Sequence, residues 1–407
     1  MPPSQLSPED PASAPSLAAD RPHDAPSDPL SDLGAFGSLT VDLGALVANY
    51  RALEGLAGPN RMGAVVKADA YGLGVGPVVE ALLEAGCSTF FVAQLEEAAD
   101  LAAKFPEAPF AVYVLNGLLP GQEADAHRIG ARPVLNSLEQ VAAWREAAST
   151  SNSGQNAALH VDTGMNRLGL APDEARALLQ DPASLEGISL TLFMSHLACA
   201  DRPDMPLSEV QRQAFETVRA AAPTLPASLA NSAGIFLGKA FHYDLVRPGI
   251  ALYGGNPLQS GALPVPLQPV VTLKAPVLQV RDVEPGATVG YGASFVAKRP
   301  TRIATIGAGY ADGVLRALSN RGEVVVRGQR VPIAGRVSMD LVGIDVTDVP
   351  GAPGEPVGPG EPVTLLGDGV TIDDLAEKAG TIGYEILTSL GRRYRRTVRP
   401  VAPADTA

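Results

Sequence analysis

From residue 38 onward the apolar residues recur in two rhythms, and the change of rhythm divides the chain. Ser38-Leu39-Thr40-Val41 reads as a strand; Leu43, Leu46, Val47, Tyr50 and Leu53 then recur at helical spacing until Gly58-Pro59 stops the helix. Between Arg61 and about Gly254, short apolar runs alternate with helical stretches. The runs fall at 63–67, 89–93, 110–115, 132–135, 158–162, 188–195, 228–231 and 245–247, and the helical stretches at 76–85, 95–103, 137–147, 172–179 and 207–222. Eight strands each followed by a helix are what a (β/α)8 barrel requires, and the ~200 residues available are at the short end of its range. A doubly wound open sheet is the alternative.

After Pro264 the pattern becomes β-rich, with runs at 270–283, 288–297, 302–307, 323–326, 329–337 and 341–346 separated by turns such as Glu284-Pro285-Gly286 and Arg327-Gly328. A Gly/Pro-rich loop, 350–362, precedes a last strand at 363–366 and a helix with Thr371 as N-cap that ends at Gly380. The expected organisation is α/β followed by all-β: an N-terminal (β/α)8 barrel over 38–260 and a C-terminal β-rich domain over 261–397, with strand 38–42 a candidate to pack on the latter. Residues 1–37, rich in Pro, Ser, Ala and Asp, hold too few large apolar residues to offset the entropy of ordering, so a disordered tail is expected there, and a short tail at 398–407.

Composition narrows the function classes. The 407 residues carry a formal net charge of −13, of which residues 1–37 hold −5 and the rest −8. No Lys/Arg run appears before Arg392, Arg393, Arg395 and Arg396, which read as decoration of a helix end or solvated tail, so no nucleic-acid partner is expected. Cys87 and Cys199 form no CxxC, which suggests neither a disulfide framework nor a metal site and fits a reducing compartment. The start lacks the pattern of a signal peptide and no stretch of 18 apolar residues occurs, so the expectation is a cytoplasmic protein with no membrane partner.

Candidate chemistry centres on VVKADAYGLG, residues 65–74, where an apolar run delivers Lys67 to a strand end. That lysine is either a solvated charge or an amine held in a cleft with a lowered pKa, able to form a Schiff base. Other polar residues follow apolar runs at the same end of the expected barrel: Asp162 to Arg167 in HVDTGMNRLG, Ser195 and His196 in MSHLACAD, Asn231 and Ser232 in LANSAG, Arg247 and Gly249 in VRPGIALYG. Four such clusters point to one converging site. A small hydroxyl at Ser232 and an approachable N–H at Gly249, after the seventh and eighth strands, are placed as barrels place a phosphate seat; a helix cap and a structural turn are the alternatives. A Schiff-base lysine beside a phosphate seat suggests pyridoxal 5'-phosphate.

Taken in order, VVKADAYGLG, HVDTGMNRLG, SHLACAD, ANSAG, VRPGIALYG, VGYGASF, GYADG, GRVSMD and GYE resemble the alanine racemase family from Ser38 to Arg396. The resemblance implies an isomerase that interconverts L- and D-alanine for cell-wall synthesis, with Lys67 carrying pyridoxal 5'-phosphate and serving as base on one face of the substrate. It implies phosphate contacts from Tyr71, Ser232, Gly249, Ile250 and Tyr384, with Asn231 beside them. Arg247 would face the pyridine nitrogen, and a guanidinium there donates a hydrogen bond and keeps that nitrogen unprotonated. Tyr291 would be the second base, its phenolate supported by His196 and Arg167; Arg167 would also meet the substrate carboxylate. Met339 would line the substrate pocket and Tyr310, Arg316 and Asp201 its entrance. A homodimer in which Tyr291 completes the other chain's site is implied too; the sequence leaves action within one chain open.

Each residue also has a plainer reading: a salt bridge for Arg247, a satisfied core histidine for His196, an exposed strand aromatic for Tyr291 and an ordinary core residue for Met339. One position departs from the family. Seven residues before Arg167, where the family often carries a carbamylated lysine that braces the arginine, this chain has His160. Strand alternation puts His160 on the face of Asp162, so His160 or an anion is expected to take that part. Three other functions are compatible with portions of the pattern: a racemase of broader specificity for serine, lysine or arginine; a decarboxylase, which typically has an acid where Arg247 stands; and a non-catalytic pyridoxal-phosphate-binding protein, which has no use for the domain carrying Tyr291.

Overall fold

The structure, a computed structural model, describes residues 37–59, 61–149, 155–259, 261–351 and 356–402. The tail expected at 1–37 lies outside these apart from Gly37, as do the last five residues, 403–407.

The first strand, β1 (Ser38–Asp42), buries Leu39 and Val41 and belongs to the C-terminal sheet: Leu39 pairs with Leu273 of antiparallel β9 (Val271–Val283). On its other side runs parallel β17 (Arg395–Arg399), with Leu39 opposite Arg396. The arginine cluster is therefore no helix end. Arg395 and Arg396 lie on an exposed edge strand, where charged residues discourage pairing with another chain, and Arg392 and Arg393 precede it. Asp42 closes β1 by capping the helix Leu43–Ala57, its Oδ1 accepting the Ala45 N–H at 2.9 Å.

Seven parallel strands follow in sequential order, β2 (Ala64–Val65), β3 (Thr89–Val92), β4 (Ala111–Val114), β5 (Arg132–Leu135), β6 (Gln155–His160), β7 (Ile188–Met194) and β8 (Ala227–Ser228). The helices Val75–Glu84, Leu95–Lys104, Leu138–Ser149, Pro172–Gln180 and Leu207–Arg219 match the periodic stretches. A further one, Glu123–Arg128, buries only Ala126 and so leaves no apolar period to read. The eighth run, 245–247, makes two isolated parallel bridges, Met62 with Val246 and Asn231 with Arg247, instead of a strand. Pro248 explains why: it has no N–H to extend a ladder, though its carbonyl still accepts from Val65 N at 2.9 Å.

The remaining strands are β10 (Thr288–Val289), β11 (Phe295–Val296), β12 (Thr301–Ile306), β13 (Glu323–Val326), β14 (Gln329–Pro332), β15 (Val342–Asp345) and β16 (Pro362–Leu366). The continuous strand expected at 288–297 is broken by the turn Tyr291–Ala293, where Gly292 and Ala293 have φ of 69° and 50°. The one expected at 329–337 stops at Pro332, again a residue with no donor for a ladder. The helix Ile372–Ala379 has Thr371 as N-cap and Gly380, φ 72°, as left-handed C-cap, as its sequence demands. The helix Gly383–Thr388 and β17 lie beyond any strong apolar pattern.

Buried Asn49 ties the two parts together. Its Nδ2 donates to Leu252 O (3.1 Å) and Gln268 O (2.9 Å), and its Oδ1 accepts from Gln268 N (2.6 Å), so one amide joins the end of the parallel part to the approach to β9. Asn49→Ala should leave these backbone groups unpaired and lower stability by roughly 2–4 kcal/mol, read from urea unfolding followed by the fluorescence of Trp144.

Candidate active site

β2 leads through Val66 to Lys67, and the chain then does something the sequence gives no sign of. Ala68, Asp69, Ala70 and Tyr71 all have φ between 53° and 57°, four successive L-residues in left-handed conformation. Each costs about 1–2 kcal/mol, so the turn persists only where its surroundings over-determine it. They do so here: Ala70 N donates to Val66 O (2.9 Å), Gly74 N to Asp69 O (3.0 Å) and Val75 N to Asp69 Oδ1 (2.7 Å). Tyr71 at its end is buried, its ring 4.8 Å from Tyr253 and 6.0 Å from Tyr384.

Tyr71 needs Gly249. A Cβ at Gly249 would lie 2.1 Å from the Tyr71 hydroxyl, so only glycine lets that phenol reach the backbone there. Ser232 Oγ accepts from Gly249 N (2.8 Å) and Ala251 N (3.4 Å), while the cap of the following turn comes from Asn231, whose Oδ1 accepts Gly234 N at 2.9 Å. The helix-cap alternative for Ser232 therefore belongs to its neighbour. The Ser232 hydroxyl and the Tyr71 phenol converge on the backbone of Gly249, two O–H donors suited to phosphate.

Arg247 is buried and makes no ion pair among the described residues, which removes the salt-bridge alternative. Its guanidinium donates to Ser228 Oγ, to Ser195 O (2.7 Å) and to Leu229 O (3.4 Å), and lies 3.4 Å from His196 Nδ1. Burial pushes it down to about 9, still a cation at neutral pH. His196 lines the cavity wall; burial first, then Arg247 and Arg167, hold it well below its ordinary value. A neutral ring leaves Nδ1 free to accept from Arg247. Gln211, fully buried, fixes this segment by donating to His196 O and accepting from Ala198 N, both at 2.9 Å.

His160 is set by Asn136. The Asn136 Nδ2 donates to Val134 O (2.9 Å) and Leu115 O (3.1 Å), which turns its Oδ1 toward His160 Nδ1 at 2.7 Å. That amide oxygen can only accept, so the ring is the Nδ1–H tautomer and Nε2 is the acceptor. Burial, then Arg247, lowers His160 to about 4. Burial and then Arg167 lower the Lys67 amine too, with Glu97 acting the other way.

One cavity of about 430 Å³ is lined by Lys67, Tyr71, Arg167, His196, Asn231, Ser232, Arg247, Gly249 and Tyr384, together with His160. Lys67, Arg167 and Arg247 give it three basic side chains, and among the described residues no carboxylate lines it. Ile250 is buried directly behind Gly249. Asp201 lines an adjoining cavity of about 750 Å³ that shares His196, Asn231 and Tyr384, and accepts from Gln259 Nε2 at 2.7 Å.

Tyr291, Met339, Tyr310 and Arg316 do not line the Lys67 cavity. Tyr291 is 73% exposed, on a turn rather than a strand; Met339 is 53% exposed, which removes the core-residue alternative, and Tyr310 is 44% exposed. The loops carrying Tyr310 and Met339 are joined: Tyr310 N donates to Ser338 O and Ala311 N to Met339 O, both at 3.0 Å. Arg393 clamps the pair, bidentate on buried Asp312 at 2.8 Å and reaching Asp340 at 2.8 Å. Sequence reasoning missed Arg393, Asp312, Asn136, Gln211 and Glu97, because each acts on a neighbour far away in sequence.

Comparison with known proteins adds a second line of findings. The family profile described as alanine racemase, N-terminal domain, matches residues 41–257, and that described as alanine racemase, C-terminal domain, matches 270–398. A catabolic alanine racemase of Agrobacterium fabrum is 50% identical over 375 residues, 92% of this chain and 95% of that protein. An alanine racemase of Methylobacterium nodulans is 52% identical over 88% of this chain and 95% of its own length. Among solved structures, the alanine racemase of Bartonella henselae with covalently bound pyridoxal phosphate superposes with a TM-score of 0.84 at 42% identity, covering 90% of this chain and all of that one.

The His160 geometry has a measurable consequence. Its folded pKa lies below the unfolded one, so between pH 6.5 and 4 the unfolded chain binds the proton more readily and stability falls as pH falls. His160→Gln should remove roughly 3 kcal/mol of that loss, seen by comparing urea midpoints of both proteins at pH 7.5 and pH 4.

Proposed function

Because the chain belongs to the alanine racemase family, it interconverts L- and D-alanine with pyridoxal 5'-phosphate, and we propose that Lys67 and, from a second copy of the chain, Tyr291 are the two bases. The observation that carries this assignment is the cavity itself: a partly buried lysine, a phosphate seat and a buried arginine without an acid all line one space that holds three basic side chains and, among the described residues, no carboxylate. Such a space suits an occupant with a phosphate and a carboxylate. The residues fit the cofactor in kind, since the hydroxyls of Tyr71 and Ser232 meet at Gly249 in an anion seat, from which any Cβ at 249 would push the Tyr71 hydroxyl away.

When bound, pyridoxal 5'-phosphate supplies an electron-withdrawing ring that stabilises negative charge at the substrate Cα. Everything else falls to the chain. Lys67, its amine made easier to deprotonate by burial and Arg167, takes or returns the Cα proton on one face. Tyr291 does the same on the other, its phenolate supported by Arg167 and neutral His196. Arg167 also attracts the substrate carboxylate. Arg247 remains a donor to a ring nitrogen, because a guanidinium has no lone pair with which to accept and no acid here relieves it of its charge. By leaving that nitrogen unprotonated, Arg247 would moderate the electron withdrawal and favour prompt return of the proton over transamination.

The exposed Tyr291, Tyr310 and Met339 motivate the dimer: a phenol needed as a base cannot work from a solvent-facing turn of its own chain, whereas a second copy could bring it over the cavity. We assign Tyr310, Arg316 and Asp201 to the entrance and Met339 to the substrate pocket on the same ground. We also read residues 245–248 as an eighth stave that closes a (β/α)8 barrel over 38–260, since they bridge both Met62 and Asn231. Residues 261–399, joined by β1, then form the β-rich domain, so the tail expected from 398 begins two residues later. A cytoplasmic enzyme supplying D-alanine to the cell wall fits these assignments; among the described residues no helix is long and apolar enough to cross a membrane. Broader specificity, a decarboxylase and a purely cofactor-binding protein are not favoured by relatives near 50% identity named for racemisation of alanine.

In deuterated water the protein should exchange the Cα proton of L-alanine as optical rotation decays. Lys67→Ala should lose the absorption band of lysine-bound cofactor, whereas Tyr291→Phe should keep the band and lose racemisation by a factor of at least about 10². Full racemisation by Tyr291→Phe would refute the two-base assignment.

A further inference from the structure

The left-handed turn that carries Lys67 ends in an N–H on one side and a carbonyl on the other, and both are held by charged side chains from elsewhere in the fold. At the start, Ala68 N donates to Glu97 Oε1 at 2.5 Å. The second oxygen of that carboxylate takes Ala93 N at 2.6 Å and Gln94 N at 3.1 Å, where β3 ends and its helix begins. One half-buried acid therefore ties the ends of two neighbouring parallel strands. At the far end of the turn, Gly72 O accepts from Arg396 NH1 at 2.6 Å, and the same guanidinium reaches Gly391 O at 3.3 Å and Leu390 O at 3.5 Å. Arg396 projects from β17, the edge of the other sheet. Neither residue lines the Lys67 cavity.

The chemistry of the two caps matches the groups they hold. A carboxylate is the strongest side-chain acceptor for an N–H, and a guanidinium a strong donor to a carbonyl; both bonds are charge-assisted. The left-handed backbone lacks the support of ordinary helical continuation, so bonds at its two ends decide whether it holds or relaxes to a right-handed path. We propose that Glu97 and Arg396 are positioning residues that hold the turn 68–72 left-handed from its two ends and thereby set where Lys67 and Tyr71 stand. The proposal rests on reading Lys67 as the residue that carries pyridoxal 5'-phosphate. It makes the last strand of the chain part of the support for a lysine more than three hundred residues earlier.

The test uses full-length protein stripped of and reloaded with pyridoxal 5'-phosphate, and reads two quantities: hydrogen exchange of the segment 66–76 and the equilibrium affinity for the cofactor from its lysine-bound absorption band. Glu97→Gln keeps the size of the side chain but replaces one acceptor oxygen by a donor, so exchange should quicken and affinity fall, each by about tenfold or more. Arg396→Gln should act in the same direction by about threefold, because its bond is more exposed. Glu97→Asp, which keeps the charge, should recover part of the affinity. Arg395→Gln, one residue away on the same strand, should leave both quantities unchanged. Unaltered exchange in 66–76, faster exchange with unaltered affinity, or faster exchange spread evenly over the whole chain would each overturn the proposal. Should Glu97→Gln fail to fold, Glu97→Asp and Arg396→Gln carry the same comparison. A Lys67→Ala protein that still forms the band would sink the reading of Lys67 alone, since the exchange of 66–76 is measured without the cofactor as well.

Discussion

Four consecutive left-handed residues, 68–71, are the constraint on which the site depends. They place an amine at one end and a phenol at the other within a single turn, and the rest of the cavity is arranged around keeping them there. Tyr71 is packed against Tyr253 and Tyr384, Gly249 gives way to its hydroxyl, and Ser232 holds the backbone of Gly249 in place. A strained backbone of this kind is maintained by surrounding contacts, and here those contacts come from the parallel strands, from the helix Gly383–Thr388 and from the β-rich sheet together.

Electrostatics supplies the second half of the design. Burial first, and the charges of Arg247 and Arg167 after it, keep two histidines neutral, and burial with Arg167 lowers the Lys67 amine proposed as a base. The same charge that adds to burial in making an imidazolium unfavourable makes an anionic occupant favourable. Arginine rather than lysine at position 247 matters for that reason: it stays charged when fully desolvated, while a buried lysine gives up its proton far more readily.

Much of this was legible in the sequence where burial leaves a period. The parallel strands and most of their helices follow from alternating apolar runs, and Thr371 and Gly380 mark a helix at both ends. What escaped has physical reasons. The run 245–247 looks like a strand until Pro248 removes a donor, and 288–297 looks like one until Gly292 and Ala293 take positive φ. No propensity of Ala68, Asp69 or Ala70 announces a left-handed turn, since it is imposed by tertiary bonds. Residues that orient others, such as Asn136 on His160 and Arg393 on Asp312, carry no local pattern at all. Lys67, Arg167, His196, Asn231, Ser232 and Arg247 were legible as polar positions at strand ends and line one cavity, whereas Tyr291, Tyr310, Arg316 and Met339, which only the family resemblance suggested, do not line it.

Lys67 lines a cavity while Tyr291 faces solvent, and that separation is what the proposed pair of bases must overcome. If the two bases meet only across two copies, inactive chains must be able to complement each other. Mixing Lys67→Ala protein with Tyr291→Phe protein under conditions that let subunits exchange should then restore about a quarter of the unmodified activity, because half of the dimers are hybrids with one intact site of two. Absence of any recovery, with exchange of subunits demonstrated independently, would contradict a shared site and place both bases in one chain.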